Sequence, residues 1–281
     1  MLTTFKPDTG IQEGSNMNFE TITLKKADHI ATITLNRPDK MNALSTTMLH
    51  ELIAAVYDVS RDDDVRVVVL AAAGKVFCSG ADVSEGGKTS GLSGTPNEMR
   101  RNLQETYQSV ALGLRRLYKP TIAMVNGAAV GAGCDFAFAC DMRVGSERAK
   151  FRNGFVKVGL IPGGGGTWLY TRLMGLGRGL EFLFTGDFLE AEEAQRIGVL
   201  NKLVPAGELE GATMELARKI AQNPPLAVQT SKMMAYRALD TDLEAALEMS
   251  AAYQALALSS EDHREGVNAF MEKREGQFKG K

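Results

Sequence analysis

The order of sequence patterns predicts an α/β fold, with a mostly parallel sheet in the core and helices in the C-terminal third. Three observations carry this. Residues 65–72 (VRVVVLAA) are a continuous apolar run, the pattern of a strand covered on both faces. Residues 120–125 form a second such run, and strongly helical segments separate the two, as right-handed parallel crossovers require. Beyond residue 167 helical periodicity dominates, and only residues 199–204 there read as a strand.

The individual elements follow in order. Residues 1–17 lack a hydrophobic stretch and contain no arginine, so they read as a flexible leader rather than a secretory signal or transit peptide. Residues 19–35 read as a hairpin, ETITL and IATITL about a turn at 26–28. Pro38 and Asn42 stop it. Ser45 stands where an N-cap belongs, and Met48, Leu49, Leu52, Ile53 and Val56 follow at helical spacing. Residues 76–78 are expected to extend the sheet. Residues 84–94 (SEGGKTSGLSG) are polar and glycine-rich, which predicts a mobile loop. Thr95-Pro96-Asn97-Glu98 combines a capping box with proline at the first helical position, predicting one helix from there to about residue 117. After the strand at 120–125, Asn126-Gly127 and a Gly/Ala-rich segment enter a helix near Gly131. Helical patterns then cover 178–185, 190–197, 207–222, 225–238, 241–258 and 260–273. The expected division is a leader at 1–17, an α/β core at 18–205 and a helical region at 206–281.

Composition narrows the function. The chain has 281 residues, 44% of them hydrophobic, which is enough for one large core. Its 32 basic and 34 acidic residues leave a net charge of −2, so no electrostatic footprint for nucleic acid is expected. No apolar run approaches the roughly 20 residues of a membrane helix. Cys78, Cys134 and Cys140 form no CxxC pair, and His29, His50 and His263 form no HExxH, so neither a disulfide framework nor a metal site is expected. Reduced thiols fit a cytoplasmic location.

Several nucleotide and nucleophile signatures fail. Gly131-Ala132-Gly133 opens a GxGxxG, but Phe136 occupies the third glycine position. Gly87-Lys88-Thr89 resembles the end of a phosphate loop, yet Asp82 stands where its first glycine belongs, and no GxSxG is present. What remains are two turns of small residues at the ends of apolar strands, 77–82 and 125–135. Peptide N–H groups from two such turns, one at a helix N-terminus, are suited to an oxygen that gains negative charge. Tight turn packing is the competing explanation of the same glycines.

The chain resembles the crotonase (enoyl-CoA hydratase/isomerase) superfamily over residues 19–281. The resemblance is carried by Leu35-Asn36-Arg37-Pro38-Asp39-Lys40-Met41-Asn42-Ala43-Leu44, Ser79-Gly80-Ala81-Asp82, Lys119-Pro120-Thr121-Ile122-Ala123-Met124-Val125-Asn126-Gly127 and Ala139-Cys140-Asp141. Further matches are Gly159-Leu160-Ile161-Pro162, Gly165-Gly166-Thr167, and Glu265-Gly266-Val267-Asn268-Ala269-Phe270 with Lys273-Arg274. It implies a ββα spiral core with a C-terminal trimerisation region, a homotrimer or dimer of trimers, acyl-CoA thioester substrates, and no cofactor beyond the coenzyme A of the substrate. It further implies an oxyanion hole from the backbone N–H groups of Ala81 and Ala132, an acyl pocket at Gly80, Gly131, Phe155 and Gly163, and CoA contacts at Arg37 and Lys40 with Phe270 and Lys273 of a neighbouring subunit.

Of the two glutamates of the family's hydratases, one position is Asp135 here and the other is Phe155, which exchanges no proton. A ring-expanding isomerase branch carries an aspartate directly after the proline, and that position is Gly163. Asp135 is thus the sole matched acid–base group, with complementing the helix dipole as its alternative role. Hydration is the expected reaction. Double-bond isomerisation, ring-type isomerisation included, and CoA-thioester binding with weak catalysis are the alternatives. Asp82 and Asp141 read as structural, and Trp168 as packing.

Overall fold

The computed structural model describes residues 18–83 and 93–281. The expected leader, and all of the expected loop except Ser93 and Gly94, lie outside the described residues. In chain order the elements are β1 (Ile22–Ala27), β2 (Ile30–Leu35), α1 (Thr46–Arg61), β3 (Val67–Ala72), α2 (Pro96–Glu105), α3 (Tyr107–Arg116), β4 (Thr121–Val125), β5 (Ala128–Val130), α4 (Ala132–Ala139), β6 (Met142–Ser146) and β7 (Lys150–Arg152). They continue with α5 (Gly166–Met174), α6 (Leu176–Thr185), β8 (Leu189–Glu190), α7 (Ala191–Arg196), β9 (Lys202–Val204), α8 (Leu209–Ala221), α9 (Pro225–Ala238), α10 (Leu243–Ser259) and α11 (Glu261–Glu272).

The main sheet runs β1-β2-β3-β4-β6-β9, antiparallel only at the β1–β2 hairpin. Alternation along β3 explains why its sequence is apolar throughout. Val68 and Leu70 face a core shared with Leu49, Leu52 and Val56 of α1, Val110 and Leu114 of α3, and Phe136 of α4. Val67, Val69 and Ala71 face the other way, onto Leu209, Ala217 and Ala221 of α8. Covering both faces removes each of these side chains from water, worth roughly 1.5–3 kcal/mol per valine or leucine. A second sheet, β5-β7-β8, stands beside the first. Its strands of two or three residues carry no periodicity that a sequence reading can register.

Local chemistry sets the element ends. The Ser45 hydroxyl accepts from the Met48 N–H at 3.2 Å, as expected of the α1 N-cap. The Thr95–Glu98 capping box forms in full. The helix it opens is not continuous, however: α2 and α3 break at Thr106, whose φ and ψ are −115° and −91°. Its hydroxyl donates back to Asn102 O at 2.5 Å and the Ser109 hydroxyl to Gln104 O at 2.7 Å, the kind of side-chain bonding that bends helices. The hairpin turn falls later than expected, on Asp28-His29, because the ladder runs on to Ala27↔Ile30 and leaves two residues, both at positive φ, to close it. Residues 76–78 do not extend the main sheet; Cys78 bridges Ala129 of the second one. Of residues 199–204 only Lys202–Val204 is strand, since the Val199 and Leu200 N–H groups close the end of α7 on Ala194 O at 2.8 and 3.0 Å.

Two polar knots fix the frame of the site. Buried Asn42 donates through Nδ2 to Ala73 O at 2.9 Å and Val76 O at 2.8 Å, and accepts from the Arg37 N–H at 2.9 Å. Asp141 accepts from the Thr121 N–H at 2.6 Å, from Lys232 Nζ at 2.8 Å and from the Tyr236 hydroxyl, which moors α9 to the sheet. No residue of α10 is buried: Leu243, Leu247, Leu256 and Leu258 are 74, 60, 58 and 52% exposed. Among the described residues no helix is long and apolar enough to cross a membrane.

Candidate active site

Two turns meet at their glycines. A Cβ on Gly80 would stand 3.1 Å from Val130 O and 3.8 Å from Gly131 Cα, and one on Gly131 would stand 3.8 Å from Gly80 Cα. Both glycines have positive φ, 99° and 55°, where an L side chain is strained. Behind them the turns are locked together. Cys78 N–H donates to Ala128 O at 3.1 Å, and Val130 N–H donates to Cys78 O at 2.8 Å. Gly133 allows α4 to press on Cys78, since a Cβ there would lie 2.5 Å from Cys78 Cβ and 2.9 Å from Cys78 O. Burial pushes the Cys78 thiol up to about 12, so it acts as packing and as a protonated donor to Asn42 O at 3.1 Å.

The residues after the two glycines carry the free-standing amides. Leu44 N–H donates to Gly80 O at 2.8 Å and Asp82 N–H to Leu44 O at 3.1 Å, a pairing that leaves the intervening Ala81 N–H directed away from Leu44. Ala132 is the first residue of α4, and its N–H has no intrahelical acceptor; the first such bond is Asp135 N–H to Gly131 O at 3.0 Å. Phe155 covers the same place, with Cζ 3.6 Å from a Cβ built on Gly131.

Asp135 follows Ala132 by three residues on α4, so both lie on one helix face. It is fully buried, its Oδ1 accepts from the Tyr170 hydroxyl, and its Oδ2 accepts from the Gly164 N–H at 3.1 Å. Burial pushes its carboxyl up to about 7, against the pull of those two donors toward the ionised form. Gly163 adjoins Leu103, which a Cβ would approach to 3.1 Å, and its carbonyl accepts from Gln108 Nε2 at 3.0 Å. The structure therefore brings Gly80, Ala81, Gly131, Ala132, Asp135 and Phe155 into one neighbourhood, with Gly163 linked to it through Gly164.

Of the expected CoA contacts, Arg37 lies beside the 79–82 turn. Arg37 Nη1 bonds Asp82 Oδ2 at 2.9 Å and Ala43 O at 2.7 Å, which clamps the 35–44 segment onto the 79–82 turn. Asp82 thus bonds across segments. Lys40 is exposed, as are Phe270, at 83%, and Lys273 at the far end of α11. Trp168 lies between Arg115, at 4.3 Å from its centroid, and Arg172, at 3.9 Å. Tyr170 and Gln108 escaped the sequence reading because each reaches its partner across 35 and 55 residues, with no local signature. Among the described residues no group of three or more His, Cys, Asp or Glu is placed to hold a metal ion.

Comparison with known proteins fits this arrangement. The family model described as enoyl-CoA hydratase/isomerase matches residues 25–281. The chain belongs to the enoyl-CoA hydratase/isomerase family. It is 37% identical over 259 residues to a short-chain-enoyl-CoA hydratase of Clostridium acetobutylicum, covering 92% of this chain and 97% of that one. It is 35% identical over 252 residues to a 1,2-epoxyphenylacetyl-CoA isomerase of Escherichia coli, covering 90% of this chain and 95% of that one. The solved enoyl-CoA hydratase of Bacillus anthracis superposes with a TM-score of 0.88 at 33% identity, over 93% of this chain and all of that one (100%). An enoyl-CoA hydratase/isomerase enzyme with the crotonase fold accounts for both the paired turns and the helical C-terminal region.

Proposed function

We propose that the protein hydrates 2-enoyl-CoA thioesters, with the Ala81 and Ala132 N–H groups holding the thioester oxygen and Asp135 as the acid–base group. The observation that carries this is the placement of a buried carboxyl, poised near 7, three residues along α4 from an unpartnered first-turn amide. Polarising the carbonyl draws electrons from the double bond and makes the β carbon electrophilic. Asp135 takes a proton from water as the water oxygen bonds to that carbon. The resulting enolate, held by two N–H donors, collects the same proton from Asp135 at its α carbon. Water is added in net, and the carboxylate is regenerated.

Phe155 supports a second reading. Where a second carboxylate would serve hydration there is an aromatic ring over Gly131, and one carboxylate suffices to move a proton between two carbons of a dienolate. The resemblance to the 1,2-epoxyphenylacetyl-CoA isomerase of E. coli favours isomerisation of a cyclic acyl group. Incubating 2-enoyl, 3-enoyl and cyclic dienoyl thioesters in ¹⁸O-water separates the readings by mass spectrometry. Labelled 3-hydroxyacyl product is expected. An unlabelled isomer transfers the conclusion to proton shuttling, and binding of every thioester without product overturns both readings.

Lys40, with Phe270 and Lys273 of an adjacent copy, is assigned to the CoA moiety, and Arg37 to holding that segment through Asp82. No cofactor beyond that CoA is required. The three buried free cysteines suit a cytoplasmic site of action. Assembly as a homotrimer or dimer of trimers is supported by the uncovered apolar residues of α10 and α11, Phe270 and Met271 at 83 and 75% exposure among them. Leu247→Glu with Phe270→Glu is expected to lower the mass measured by light scattering to that of a monomer.

A further inference from the structure

Asp135 is held at both oxygens, and the outer end of one hold lies well away from the carboxylate. The Gly164 N–H that donates to Oδ2 at 3.1 Å belongs to the peptide unit joining Gly163 to Gly164. The carbonyl of that same unit accepts from Gln108 Nε2 at 3.0 Å. Gln108 therefore pulls electron density toward the peptide oxygen and makes the amide on the other side a stronger donor to Asp135. On Oδ1 the donor is the Tyr170 hydroxyl. Its ring stands edge-on between Phe138 and Phe182, with centroids 4.9 and 5.0 Å away, which holds the hydroxyl beside Asp135, with the Cys134 thiol as its second neighbour.

The glycines of residues 163–166 make this arrangement possible. A Cβ on Gly164 would lie 2.7 Å from Oδ2, and one on Gly166 would lie 2.4 Å from Oδ1 and 2.6 Å from the Tyr170 ring. Only a chain without side chains at these positions lies this close to a carboxylate.

We propose that Tyr170 and Gln108 are positioning residues for the acid–base step: from opposite sides they fix the rotamer of Asp135 and stabilise its ionised form. The inference rests on Asp135 being the acid–base group. A carboxyl this deeply buried holds its proton and is a poor base unless donors favour its anion, and these two donors do so while each oxygen keeps a lone pair for water or substrate.

Among the described residues none supplies a competing charge, and Arg172 of α5 stacks on Trp168 at 3.9 Å. On α4 itself the neighbour is the Cys134 thiol, pushed well above its ordinary value by burial. Arg143 of β6 is committed to the carbonyls of Val199, at 2.6 Å, and Cys140, at 2.8 Å. Arg115 of α3 stacks on Trp168 and Tyr236, and the Tyr107 hydroxyl of α3 is itself pushed up by burial. β4 and β5 carry no titratable side chain.

The test compares wild type with Tyr170→Phe, Gln108→Leu and the double variant, reading the pH profile of kcat on crotonyl-CoA. It also reads the ¹³C-NMR titration of the aspartate carboxyls, with the signal assigned by its loss in Asp135→Asn. The expected result is a rising limb and an Asp135 titration that both move about one pH unit upward in each single variant and further in the double one, with the high-pH plateau nearly kept. Gln108→Leu leaves the core around Tyr170 untouched, so it decides the matter even where Tyr170→Phe fails to fold. An equal loss of rate at every pH with an unmoved titration assigns both residues a merely structural role and overturns the proposal. Should Asp135→Asn prove active, the acid–base reading falls. An unshifted NMR titration then still marks failure of the clamp itself.

Discussion

Asp135→Asn is expected to lower kcat by roughly 10²–10⁴-fold, the usual worth of a positioned general acid–base group. Asparagine keeps the shape and an oxygen for Tyr170 or Gly164, but it neither takes a proton from water nor returns one to carbon. In wild type the base form must be ionised, so the rate should rise with pH through about 7, the value to which burial pushes this carboxyl, and then level off. A stability measurement checks the same assignment without any substrate. The folded carboxyl is raised from its ordinary 3.8 to about 7, so across that window the native state keeps a proton that the unfolded chain has released. Stability contributed by Asp135 is therefore present at low pH and lost as pH rises through about 7, the reverse of an ion-paired aspartate. Thermal unfolding at pH 5, 6, 7 and 8 should show Asp135→Asn gaining on wild type at each step up to neutrality. A variant as active as wild type, or a stability gap that does not change with pH, contradicts the assignment.

What the sequence made legible was whatever local chemistry determines. Ser45 and the Thr95–Glu98 box end helices through bonds three residues long, and the apolar run of β3 reports burial on both faces without naming what covers it. The two small-residue turns were legible as turns because glycine at positive φ leaves a compositional trace. Their meeting was not, because it depends on Cys78 pairing with Ala129 and on Gly133 lying against Cys78 across some 50 residues. The three-stranded second sheet was missed for the same reason: strands of two and three residues exist only through their partners. Thr106 shows a different limit. Capping and composition both favoured one long helix, and a side-chain bond to Asn102 O set the break. Asp135 was legible as a carboxylate near a helix start, whereas the residues that hold it, Tyr170 and Gln108, were visible only in the fold.

Ala132→Pro separates the two explanations that the glycine turns leave open, tight packing and an oxyanion hole. Ala132 is the first residue of α4, where an N–H has no intrahelical acceptor and where the fixed φ of proline suits the helix. The preceding residue is Gly131, the type most tolerant of a following proline, at a φ of 55°. The substitution thus removes one donor and fills its place with a ring carbon while the helix keeps all its own bonds. If the turns exist to stabilise an enolate, kcat should fall roughly 10²–10³-fold, equivalent to about 3–4 kcal/mol of transition-state stabilisation, with Tm nearly unchanged. Ala132→Gly keeps the N–H and is expected to stay within a few-fold of wild type. If instead the turns exist to pack α4 against Cys78, the proline variant should lose little activity beyond what its loss of stability explains. Because the missing N–H contributes nothing to the folded state and everything to the charged intermediate, a kcat that collapses in a protein that still melts where wild type does and still binds the thioester reports the hole.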